Sequence, residues 1–217
     1  MSFMAVAYVP AYLEDRSVYV KDRTNGLYGP SAFLLTNIIV GLPYLFGISL
    51  LFSIIAYWLS NFDPSATAFF KFVMWLFLDL LAAESLVVFV SSLVPNFVMA
   101  LALVAFANGL WMSVGGFLHP IPLLNPFWKY VFHYIDYQAY VFQGMMVNEF
   151  KQRTYACAAG CQCSFPTGDL QCEIPGTSVL SAYGYPLGRE GKWVGIMIAI
   201  IVVYRVLGWV ALYMRKT

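Results

Sequence analysis

PSAFLLTNIIVGLPYLFGISLLFSIIAYWLS, residues 30–60, contains no Asp, Glu, Lys, Arg or His, and it lies inside an uncharged run from Thr24 to Phe62. A helix needs about 20 mainly apolar residues to cross a bilayer. At 1.5 Å per residue this stretch would be roughly 46 Å long, more than the hydrocarbon core, so it tilts or projects. Pro43 is a candidate kink within it. The same reading applied outward yields three more spans. Residues 66–94 form the second, which carries Lys71, Asp79 and Glu84. The third, 97–118, follows Pro95-Asn96 almost at once, so it runs antiparallel to its predecessor. The fourth, 193–214, is interrupted only by Arg205 and closed by Arg215-Lys216. Over all 217 residues, 61% are hydrophobic and only 11% charged, which leaves too little polar side chain to cover a water-facing surface. The expected class is an all-α integral membrane bundle. A net charge of +1 offers no electrostatic reason for a nucleic-acid partner.

The remaining segments are aqueous or interfacial. Residues 1–13 are apolar but only about half the length of a span. No basic residues precede them and charges follow, the reverse of a signal peptide. They read as the end of a truncated span, continuing into a charged cytoplasmic segment, 14–29. Basic residues do not orient the bundle: Arg16, Lys21, Arg23, Arg215 and Lys216 on one side balance Lys71, Lys129, Lys151, Arg153, Arg189 and Lys192 on the other. Cysteines do. Cys157, Cys161, Cys163 and Cys172 all fall in one long polar loop, 151–190, as expected for a disulfide knot on the oxidising side. Four cysteines allow three pairings, one pair within the chain with one or two thiols free to bridge a partner is equally allowed, and a four-thiolate zinc site is the alternative reading. Residues 119–150 mix aromatics with Lys129, His133, Asp136, Gln138 and Gln143, too polar for a fifth span. They read as an external re-entrant or interfacial helical hairpin.

No familiar catalytic signature is present: there is no GxxxxGKS or GxxxxGKT, no GxSxG and no HExxH. His119 and His133 are the only histidines, and a boundary hydrogen-bonding role suits both. A metal pair of His133 with Asp136 is the sharper alternative, since the two share a helix face at i, i+3. Asp79 and Glu84 lie about 140° apart on a helix, a poor acid/base pair, and read as interhelical hydrogen-bonding groups. Arg205 either snorkels or pairs with an acid on another span.

Several fragments, taken in order, resemble the C-terminal part of the transmembrane domain of a G-type (White/pleiotropic drug resistance) ABC transporter, over nearly the whole chain. Asp15-Arg16-Ser17-Val18-Tyr19-Val20-Lys21-Asp22, followed by Gly26-Leu27-Tyr28, is similar to that family's E-R-x-V-F-x-R-E and G-x-Y stretch, with mild departures at Asp15, Tyr19, Lys21 and Asp22. Pro43, Ala83-Glu84-Ser85-Leu86 with Pro95-Asn96, Gly116-Phe117, Trp128 through Tyr140, Asn148-Glu149-Phe150 and Tyr204-Arg205 resemble its third to last helices in sequence order. The compact cysteine loop resembles fungal half-transporters.

The resemblance implies the membrane part of an ATP-driven exporter of lipid-like, sterol or hydrophobic xenobiotic substrates, in the plasma membrane or an endomembrane. Two such domains, as a homodimer or heterodimer, would enclose a central cavity in the bilayer. It implies that Asp15, Arg16, Lys21 and Asp22 couple to a nucleotide-binding domain, that Asn108, Trp111 and Met112 contact substrate, and that Phe117 and Leu118 form an external hydrophobic plug. ATP and Mg would be held by the nucleotide-binding domain, in cis or in trans. That domain and the family's first helix have no counterpart in these residues, so a fragment is expected and no hydrolysis by this chain alone. Two other readings stand beside transport: a non-transporting membrane partner, or a membrane-embedded enzyme using His133, Asp136 or Glu84.

Overall fold

The computed structural model describes residues 2–118, 120–157, 161, 163–167 and 172–214, with side chains from Ala5 onward. His119, Arg215 and Lys216 lie outside the described residues. Helix α1 spans Ser2–Thr24, α2 Pro30–Leu59, α3 Ala66–Leu93 and α4 Phe97–Val114. A 3-10 turn (Ile121–Leu123) and a π-helical turn (Trp128–Phe132) lead into α5, Tyr137–Phe150. Strands β1 (Thr154–Ala156) and β2 (Glu173–Pro175) precede α6 (Gly176–Tyr183) and α7 (Glu190–Met214). Among the described residues, four helices, α2, α3, α4 and α7, are long and apolar enough to cross a membrane. The fold is an all-α integral membrane domain.

Helix bounds differ from the sequence expectation where local chemistry stops or extends a helix. Residues 97–118 were expected to be one helix, yet α4 ends at Val114, where Gly115 and Gly116 follow and Gly116 adopts φ +90°. Glycine alone takes that backbone at no steric cost. α7 begins at Glu190, whose carboxylate suits the positive helix N-terminus. The charged segment expected apart from residues 1–13 is largely one helix with it: α1 runs unbroken to Thr24 and stops before Asn25-Gly26, with Gly26 at φ +75°. α2 continues through Pro43. The cysteine loop also holds more structure than its composition suggested, namely β1, β2 and α6.

The chain divides into two compact units. The first comprises residues 1–51, 77–110 and 196–217. Here α1 buries a stripe at helical spacing, Ala5, Val9, Tyr12, Arg16 and Tyr19. Tyr12 and Tyr19 join Leu34, Val88 and Leu212 in one core cluster, and Phe33 stacks on Tyr19 at 4.5 Å. The Tyr12 hydroxyl meets Ser92 Oγ at 2.9 Å, so the phenol keeps a polar partner inside the apolar cluster. At the charged end, Arg23 donates to the Leu212 carbonyl at 2.6 Å, one of the carbonyls that a helix end leaves unsatisfied. The α3 residues of this unit are buried almost all round, among them Leu80, Ala82, Ala83, Leu86, Val87 and Val88.

The second unit comprises residues 52–76 and 111–195. α5 buries Tyr137, Ala139, Tyr140, Val141, Gln143, Gly144 and Val147. A methyl group at Gly144 would run into the Trp75 indole, so glycine permits this close approach. Asn148 Nδ2 donates to the Ala68 carbonyl at 2.9 Å. β1 and β2 pair antiparallel with Tyr155 opposite Ile174, and Cys157 N–H extends the ladder to the Cys172 carbonyl at 3.0 Å. Disulfides join Cys157 to Cys163 and Cys161 to Cys172. All four thiols are thereby used, which removes the thiolates a zinc site would need.

Candidate functional site

Within the first unit, α1 separates the four residues expected to face an ATPase domain. Asp15 and Lys21 point outward, and Asp22 is half-buried. Arg16 is 8% exposed, because its position between Tyr12 and Tyr19 places it on the buried stripe. Asp22 Oδ2 accepts the Tyr28 hydroxyl at 2.9 Å, and that bond pushes the Tyr28 phenol up from its ordinary value. A cavity of about 620 Å³ opens beside them, with Tyr8, Asp15, Tyr28, Asn37 and Tyr44 among its lining residues.

α4 carries the three candidate substrate contacts. Its buried stripe is Ala100, Val104 and Asn108, and the Asn108 amide donates to Val104 O at 2.9 Å. Asn108 is therefore buried, with its amide turned back onto its own helix. In the second unit, Trp111 is half-buried, whereas Met112, Phe117 and Leu118 are exposed. The exposed set thus gathers at the end of α4, and Asn108 is not part of it.

The ionisable residues of the spans are arranged by tertiary contact. Arg205 lies 2.8 Å from a Glu84 carboxylate oxygen, donates Nε–H to Ser85 Oγ at 2.9 Å and reaches Asn37 Oδ1 at 3.4 Å. Of the two readings open for Arg205, the structure selects the pair. A methyl group at Gly41 would sit 3.0 Å from Glu84 Oε1, so a small residue on α2 makes room for the carboxylate. Asn37 was not anticipated. Its signal was faint: a single polar amide in an otherwise apolar helix. Arg205 also lines a second cavity of about 480 Å³, with Leu35, Leu81, Val202 and Trp209.

In the second unit, Glu149 is a hub. It pairs with Arg153 and accepts from the Asp63 backbone N–H at 3.2 Å and the Tyr155 hydroxyl at 3.3 Å. Arg153 reaches back to the Asn61 carbonyl at 3.3 Å. Burial, then the Glu149 carboxylate, pushes the Tyr155 phenol up to about 12. His133 is not paired with Asp136 as a metal site. Its Nδ1 lies 3.1 Å from the Val114 carbonyl, while Asp136 caps α5 by accepting from Gln138 N–H at 2.8 Å. Burial is the main cause that holds His133 below the ordinary histidine value. Among the described residues, no three His, Cys, Asp or Glu side chains gather to hold a metal ion. The residues considered for enzyme chemistry are thus a helix cap, a carbonyl partner and half of an ion pair.

Four helices among the described residues that are long and apolar enough to cross a membrane, a buried ion pair and a disulfide-closed polar loop describe a multi-pass membrane domain. The ABC-2 type transporter family matches residues 1–150, and the chain belongs to that family. It is also similar to ABC transporters of the G family. ABC transporter G family member 23 of Arabidopsis thaliana is 34% identical over 210 residues, covering 96% of this chain and 32% of that protein. ABC transporter G family member 1 of Petunia hybrida is 32% identical, covering 95% and 31%. ABC transporter G family member 11 of Arabidopsis thaliana is 30% identical, covering 95% and 28%. The chain spans about a third of the length of these relatives. They are plant proteins, so they lend no support to the fungal refinement drawn from the cysteine loop.

Proposed function

We propose that this chain is the membrane-spanning part of an ATP-driven exporter of lipid-like, sterol or hydrophobic xenobiotic substrates. Two such domains, identical or not, would face each other across a substrate path in the plasma membrane or an endomembrane. The observation that carries this reading is the apolar surface left uncovered on α4: Val98, Leu103, Phe106 and Met112 are exposed, and Phe117 and Leu118 continue the exposure past its end. Met and aromatic side chains offer large, adaptable contacts to apolar ligands. Met112 and Trp111 are the preferred substrate contacts, Phe117 and Leu118 the plug, and Asn108 supports the helix from within.

Asp15, Lys21 and Asp22, at the charged end of α1, are assigned to contact with a nucleotide-binding domain on the cytoplasmic side. Arg16 supports that surface from the buried stripe. The disulfide loop would face the opposite, oxidising side. No stretch of this chain has the glycine-rich loop that cradles phosphates, so ATP and Mg belong to the nucleotide-binding domain, in cis or in trans. The test is to assemble the chain with such a domain in liposomes and measure ATP hydrolysis with cholesterol, phosphatidylcholine or rhodamine 123 added. Stimulation that is lost with Lys21→Ala is expected. A flat response from demonstrably assembled complexes would remove the transport reading.

A further inference from the structure

The end of α4 is a helix terminus whose last carbonyls have no partner within the helix. In this protein, the last of those carbonyls and another two residues beyond the helix are taken by side chains from distant positions in the sequence. Val114 O is 3.1 Å from His133 Nδ1, and Gly116 O accepts the Tyr185 hydroxyl at 3.1 Å. His133 and Tyr185 are 6% and 3% exposed, so water does not compete for either bond. Gln143 Nε2 lies 3.4 Å from His133 Nε2. An amide donating there leaves the hydrogen on Nδ1, the tautomer that can donate to Val114 O.

The two glycines between these bonds fit the same arrangement. A methyl group at Gly115 would sit 3.0 Å from Asp136 Oδ2, and one at Gly116 would sit 2.7 Å from the Tyr185 hydroxyl. The backbone is therefore gripped on both sides of a segment where a methyl group would press on Asp136 or Tyr185. Tyr185 is itself fixed: its N–H bonds Leu180 O at 2.9 Å behind Gly184, which ends α6 at φ +76°. Its ring lies 6.2 Å from Phe142, which in turn meets Phe117 edge-on at 5.4 Å.

We propose that His133 and Tyr185 are positioning residues that clamp the non-helical end of α4 and so set the place of Phe117 and Leu118. The functional part rests on the reading of those two residues as the plug. In that setting, the clamp keeps the plug from opening between transport events.

The experiment uses the full chain in lipid vesicles with Leu118→Cys carrying a nitroxide spin label. The four native cysteines are paired with one another, so this thiol is the only free one. Tyr185→Phe removes a single oxygen and keeps the ring against Phe142. His133→Leu removes the other donor, and His133→Asn retains an N–H that can reach Val114 O. Several-fold faster label motion is expected in Tyr185→Phe and His133→Leu, with slow motion retained in His133→Asn. Equal motion in all variants, or His133→Asn as mobile as His133→Leu, would overturn the clamp. A second arm assembles the chain with its ATPase domain and follows ATP consumed per rhodamine 123 accumulated. A several-fold rise in Tyr185→Phe is expected, and an unchanged ratio despite a loosened label overturns the gating role. If the unsubstituted assembly moves neither the dye nor labelled cholesterol or phosphatidylcholine, the transport reading fails, and the label motion still decides whether the clamp exists.

Discussion

Among the described residues, a carboxylate–arginine pair is found in each unit, and the two pairs are built for different purposes. Glu84 and Arg205, at 4% and 10% side-chain exposure, sit among apolar helices of the first unit. Glu149 and Arg153, at 11% and 31%, sit one helical turn apart beside the polar loop of the second. The buried pair has little water to fall back on, so each charge depends on the other and on Ser85 and Asn37. The outer pair is partly hydrated, and Coulomb attraction alone would contribute little. Its value lies in what else Glu149 holds: the Asp63 N–H from the α2–α3 turn and the Tyr155 hydroxyl from β1. The same two residue types act as mutual neutralisation in lipid and as a cross-link between segments near water.

Removing one partner of the buried pair should have the largest effect. Arg205→Ala leaves the Glu84 carboxylate uncompensated and is expected to cost about 3–5 kcal/mol. A fall in folded yield and melting temperature in detergent would show it, with much of the loss recovered in Arg205→Met combined with Glu84→Gln. If the single variant melts like the parent, the two pairs are equivalent and the contrast fails. Glu149→Gln should cost less, about 1 kcal/mol, because the amide oxygen still accepts and only the charge-assisted component is lost. Its mark should be local: faster amide exchange around Asp63 and Tyr155, with the first unit unaffected.

The smallest effect sharpens the comparison through pH. Burial holds His133 below the ordinary histidine value, with Lys129 acting in the same sense and the bond to Val114 O opposing it. Asp136 lies nearby on the same chain segment. A histidine whose folded value is depressed binds protons more readily when unfolded. Stability of the second unit should therefore fall as pH drops through about 6.5, the ordinary histidine value, toward the folded one. His133→Asn should flatten that dependence when amide exchange is compared at pH 7.5 and 5.5. An unaltered slope would assign the pH response to another group.

The spans were legible because bilayer thickness converts an uncharged run directly into a helix: residues 30–60 and Pro30–Leu59 differ by one residue at one end. The coupling block was less so. Its charges suggested a surface, but Arg16 falls in phase with Tyr12 and Tyr19, and helical phase outranked composition. Asn108 gives the same lesson in α4. It was read as a cavity contact from family resemblance, and its side chain turns onto the buried stripe with Val104. Glu149 was quoted only as part of a motif, because nothing local reveals that an Asp63 backbone N–H lies 86 residues away in sequence.

Sequence alone determined that this chain lives in lipid, where its helices run, which residues carry the family pattern and that its cysteines share one polar loop. These follow from hydropathy, length and residue order, which are local properties. Tertiary structure alone decided that Arg205 pairs with Glu84, that Cys157 joins Cys163 and Cys161 joins Cys172, and that His133 and Tyr185 hold the end of α4. Each of those depends on two groups distant in sequence or free to pair otherwise. Their juxtaposition is set by packing and by the need to satisfy buried charges and carbonyls.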